Sequence, residues 1–145
     1  MTVRTWITIS VAVLVALCVA VVVQFVRPVP APAIVVHAGD VRLDGALDES
    51  CWPQRNGKLR CLDEKQVRPA QTIDGNGSFR IVFAYPGEPK TGKIALDDAR
   101  GERVLSSGWK RTLRYDLDPG EYTLRARAGD EDEAYVTYVF ALRVT

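Results

Sequence analysis

The side chains with reactive chemistry are few: three cysteines, one histidine and short acidic runs in 145 residues. Cys51 and Cys61 bracket the stretch SCWPQRNGKLRCLD, with Trp52 and Pro53 directly after the first. A metal site needs more ligands than this stretch offers, for it lacks a CxxC pair and His37 stands apart near the start of the polar region. A redox dithiol favours CxxC, and a cysteine nucleophile wants a histidine base close by. A structural disulfide is the most economical reading, with a reactive pair and a metal site as weaker alternatives. Asn56-Gly57 between the two is a hairpin signal, which would set Cys51 and Cys61 facing each other on adjacent strands.

Other chemistry is thinner still. Asp130-Glu131-Asp132-Glu133 lacks the spacing of a calcium loop and reads as a solvated hairpin tip. There is no Gly-rich phosphate loop and no nucleophile motif, so neither a catalytic residue nor a cofactor is expected. The formal net charge of +1 argues against nucleic acid as a partner, since that needs a concentrated basic patch. Two places suit recognition instead. Trp109-Lys110-Arg111 sets an aromatic beside two cations, as interfaces often do, although half-buried edge packing explains it equally well. Trp52 is a second exposed-aromatic candidate, with packing over the disulfide as the simpler reading.

The elements that must carry these residues fall into three parts. Thr5 to Val26 contains no charge, and at 1.5 Å per residue such a helix spans about 30 Å, the hydrocarbon thickness of a bilayer. Residues 1–5 are therefore expected to form a cytoplasmic tail, 6–26 a signal-anchor transmembrane helix, 27–33 a Pro-rich linker and 34–145 an extracytoplasmic domain. The run is longer than the apolar core of a cleaved signal peptide, although Ala31-Pro32-Ala33 offers a cut after Ala33 that would release a secreted form. Cys18 follows a bulky Leu17, a poor acylation site, and reads as a small apolar residue within the span. Orientation rests on the short N-terminal tail staying inside, because Arg4 and Arg27 nearly balance. Thr8, Ala12, Ala16 and Ala20 recur every four residues, a small-residue stripe on which a partner helix or a second copy would pack. Alanine is also simply common in such helices.

Beyond the linker the period becomes two. Ser78–Phe83, Lys93–Leu96, Arg103–Leu105, Thr112–Leu117, Tyr122–Ala128 and Ala134–Val144 read as half-buried strands, with Ile34–Val36 and Val41–Leu43 as weaker ones. Seven or so strands at intervals of about ten residues imply an all-β, immunoglobulin-like antiparallel β-sandwich behind one transmembrane helix. Asp118-Pro119-Gly120-Glu121-Tyr122 resembles the tyrosine corner of such domains, with Asp118, Gly120 and Tyr122 as its structural residues. DPGEYTLRARA is similar to the penultimate strand of many bacterial immunoglobulin-like sandwiches. Cys51-Trp52-Pro53 … Cys61-Leu62-Asp63 resembles a hairpin of bacterial membrane-anchored extracytoplasmic domains of this kind, over about residues 44–145. That resemblance implies an extracytoplasmic β domain and transfers no catalytic residues. The expected role is a non-catalytic accessory or interaction subunit of a membrane complex, bound to the bilayer and, through its helix, to a membrane protein or a second copy. A free-standing surface module for a glycan, lipid head group or peptide is the alternative, and a secreted modulator a third.

Overall fold

The computed structural model describes residues 3–85, 89–130 and 133–145: one apolar helix followed by an all-β sandwich. Helix α1 runs Val3–Val26, so the expected tail residues from Val3 onward are already helical, while residues 1 and 2 lie outside the described residues. Within it Trp6–Val26 is long and apolar enough to cross a membrane, and no part of that span is buried against the protein. Thr8, Ala12, Ala16, Cys18 and Ala20 are accordingly all exposed.

Eleven strands follow among the described residues: β1 Ala33–Ala38, β2 Val41–Leu43, β3 Ala46–Pro53, β4 Leu59–Asp63, β5 Gln71–Ile73, β6 Asn76–Ala84, β7 Gly92–Asp98, β8 Arg103–Gly108, β9 Thr112–Asp116, β10 Gly120–Gly129 and β11 Tyr135–Val144. A four-stranded sheet has the order β2-β1-β6-β9. A seven-stranded sheet has the order β4-β3-β11-β10-β7-β8, with β5 beside β11. The run from β6 to β11 places β9 beside β6 in one sheet and β7, β10 and β11 together in the other. This is the connectivity of immunoglobulin-like strands B, C, C′, E, F and G. All pairings are antiparallel except β5 with β11.

The count exceeds the expected seven for physical reasons. β5 is three residues long and has one buried side chain, Ile73, too little to show a period. β3 and β4 belong to the disulfide hairpin, where β4 is exposed throughout and carries no apolar alternation. β8 continues through Ser106 and Ser107, because an edge strand can place small polar residues on its open side.

Alternation seals the core. Phe79 and Ile81 from one sheet face Leu96, Leu124, Phe140 and Leu142 from the other, each no more than 1% exposed. The ring of Tyr115 stacks on Phe79 at 4.3 Å. Burial, helped by nearby Asp74, pushes its phenol above the usual range. β11 departs from strict alternation, for Thr137 is fully buried beside a bulge at Thr137/Tyr138. Its hydroxyl accepts from Nε of Arg127 at 3.0 Å, and Arg127 also pairs with Glu49 and lies 4.8 Å over the Tyr135 ring.

The tyrosine corner forms as the motif implied. The Tyr122 hydroxyl donates to the carbonyl of Asp118 at 2.8 Å, closing the turn before β10. Because this bond is exposed, Tyr122→Phe should cost about 0.5–1.5 kcal/mol. The expected readout is a lower urea midpoint with an unchanged slope. An unshifted midpoint would show that the turn holds without the hydroxyl.

Candidate interaction surfaces

The cysteines are joined. Cys51 and Cys61 lie directly opposite each other in the β3–β4 ladder and form a disulfide, with Cα atoms 4.0 Å apart. The turn beyond them is built by Asn56-Gly57: Gly57 has φ +76° and its N–H donates to the Gln54 carbonyl, while Asn56 Oδ1 accepts from Lys58 N–H. Trp52 does not take the place expected of it beside the disulfide. Successive side chains of a strand point to opposite faces, so Trp52 turns away from the bridge. Its ring meets Tyr85 edge-on at 5.3 Å and Phe83 at 6.5 Å.

Phe83 then meets Trp109 edge-on at 6.0 Å, so the two tryptophans singled out in the sequence share one aromatic cluster. Trp109 is half-buried over Gly92, where an added Cβ would come within 3.0 Å of the indole. The packing reading of Trp109 is thus the one observed for its ring, whereas Lys110 and Arg111 beside it are exposed. Phe83 and Tyr85 gave no sequence signal of their own, since Phe83 reads simply as an inward strand position.

The cluster occupies the end of the sandwich nearest the helix. Ala33, where β1 leaves the linker, pairs with Ala84 at the end of β6. The same end holds the close of β3 and β8 and the starts of β4, β7 and β9. The linker is held against the domain here. Pro32 is buried, Ala31 packs on the core, and strand pairing begins one residue early, at Ala33. Gln54 grips it from the hairpin tip: its side chain accepts from Val29 N–H at 2.8 Å and donates to the Val29 carbonyl at 3.2 Å. Arg55 donates to the Gln24 carbonyl in the last turn of α1 and lies 6.0 Å from the Phe25 ring centroid. The β10–β11 turn brings Asp130 and Glu133 to this end, and Glu131 and Asp132 of the acidic run lie outside the described residues.

Charge divides unequally between the two outer faces. The seven-stranded side pairs three of its arginines, Arg103 with Asp97, Arg127 with Glu49 and Arg143 with Glu121, while Lys93 and Arg125 there are exposed without an ion pair among the described residues. On the four-stranded sheet the register sets Arg42, His37, Arg80 and Thr112 in one cross-strand row, and Arg114 lies opposite Ser78 one step away. Arg42, Arg80 and Arg114 are exposed and have no ion-pair partner among the described residues. Asp116, opposite Asn76, is the acid nearest this row along β9. Net charge conceals such a patch, because acids elsewhere offset it.

Among the described residues no group of three or more His, Cys, Asp or Glu side chains is arranged to hold a metal ion. No protein-family model matches the chain, and no curated protein or solved structure matches it significantly.

Proposed function

We propose that this chain is a membrane-anchored, non-catalytic interaction subunit that docks the acidic surface of a membrane-protein partner on the outer face of its four-stranded sheet. The observation that carries the reading is the row of Arg42, Arg80 and Arg114, all exposed and none in an ion pair among the described residues, whereas the other sheet has three of its arginines paired with acids. Three like charges on one face repel one another, and an acidic partner relieves that repulsion while steering encounter. The first strand of this sheet, β1, follows the linker directly, so the face is joined to the anchor by a short connection. A neighbour in the same membrane is therefore within reach, and the exposed apolar surface of α1 offers that neighbour a second contact along the Thr8/Ala12/Ala16/Ala20 stripe.

The disulfide supports an extracytoplasmic location for the domain, since such bridges persist in oxidising compartments. Cleavage after Ala33 would remove Ala31, which packs on the core, and the first paired residue of β1. The anchored form keeps both contacts.

Mild-detergent purification of the full chain should bring down a stoichiometric membrane partner. Changing Arg42, Arg80 and Arg114 together to Glu should reduce the retained partner about tenfold or more, a loss of about 1.4 kcal/mol or greater. Added salt should weaken the native complex in the same direction. A lone monomer, or retention unaltered by the charge reversal, would overturn the assignment.

A further inference from the structure

The way the hairpin grips the linker fixes where the aromatic end of the sandwich stands. Val29 lies three residues beyond the end of α1, a reach of at most about 10 Å even when extended. Gln54 holds Val29 through both backbone polar groups, and Arg55 touches the last turn of the helix itself. With α1 across a bilayer, Trp52 and its neighbours are thereby brought to the head-group layer, which is about 5–7 Å thick on each side.

The residues there suit that layer. Tyr85 is 53% exposed, Trp52 and Trp109 are half-buried, and Phe83 joins all three rings into one packed unit. Tryptophan and tyrosine collect at membrane interfaces because each carries an apolar body and one polar group. Exposed Arg55, Lys58, Lys90 and Lys110 surround them. Asp130 and Glu133 on the β10–β11 turn offset part of that charge, so the contact is ascribed to the aromatic rings.

We infer that Trp52, Tyr85 and Trp109 form a membrane-resting foot, seated in the head-group layer of the bilayer that α1 crosses and held there by the Gln54–Val29 clamp. The foot fixes the tilt of the sandwich and so presents the arginine face sideways. This rests on the anchored reading of the chain, not on the identity of its partner.

The chain contains three tryptophans, which makes the test direct. Full-length single-tryptophan versions, retaining Trp6, Trp52 or Trp109 with Phe at the other two positions, would be reconstituted in phosphatidylcholine vesicles with or without head-group spin-labelled lipid. Trp6 reports insertion of the helix at the far interface. Trp52 and Trp109 should each lose emission to the label, as Trp6 does, because all three would lie at head-group depth. The loss should persist without anionic lipid. Quenching of Trp6 without quenching of Trp52 and Trp109 would overturn the foot and leave the anchor intact. Absence of quenching at all three would remove the anchor and the foot together. Oxidative footprinting of the unmodified chain covers any misfolding of the variants: Trp52, Tyr85 and Trp109 should be protected in vesicles relative to detergent, and equal oxidation would count against the foot.

Discussion

Phe140→Ala is expected to cost about 3–5 kcal/mol, a large share of the 5–15 kcal/mol that usually holds a domain together. The ring is 1% exposed in the middle of β11, and the loss combines apolar transfer with a cavity that rigid strands on both sides cannot close. One neighbour makes this site testable beyond a single value. Gly45, just before β3, lies so close that an added Cβ would sit 2.3 Å from Cε1 of Phe140. Gly45→Ala should therefore destabilise by about 1–3 kcal/mol through overpacking. In combination with Phe140→Leu, which withdraws the ring edge, the alanine should become nearly harmless. Denaturant unfolding of the two single variants and the double gives the coupling directly. Additive losses would mean that the glycine serves the backbone of the β2–β3 connection and not the ring.

Gly45 illustrates what a sequence shows and what it withholds. Period-two alternation made most of β6, β9 and β10 legible, because one face of each is buried and the other largely wet, and it carried β7 and β11 through their apolar positions although Ala95 and Thr137 are buried as well. The tyrosine corner was legible through a local motif whose hydrogen bond spans four residues. What stayed hidden depends on pairing between distant segments. Arg42, Arg80 and Arg114 each read as an ordinary outward strand residue, and only the registers β1–β2, β1–β6 and β6–β9 bring them to one face. Trp52 and Trp109 were visible as aromatics, but their meeting point is Phe83, on a third strand in the other sheet. The clamp was hidden for a different reason. Gln54 and Arg55 have the composition of a hairpin tip, and nothing in a polar turn announces that it folds back onto a linker.

The cysteine pair decides whether that clamp holds. Replacing both Cys51 and Cys61 by alanine should release a constraint worth about 2–3 kcal/mol for so short a loop. The loss should fall unevenly. β4 is exposed along its whole length and pairs with β3 alone, so it has no buried side chain to keep it in place once the bridge is gone. β3 is different, for Ala46 and Ser50 are buried and its ladder continues into β11. Hydrogen exchange should therefore quicken about thirty- to a hundred-and-fiftyfold at Leu59–Asp63, the factor corresponding to that free energy, while β6 and β10 keep most of their protection. Val29 should quicken with β4, because its amide is guarded by the side chain of Gln54 at the hairpin tip. Unchanged exchange at both places would mean that backbone pairing suffices and the bridge is redundant. Uniform loss across all strands would mean that hairpin and sandwich unfold as one unit. In the expected pattern the disulfide acts locally, stiffening an otherwise marginal hairpin whose tip ties the domain to its anchor.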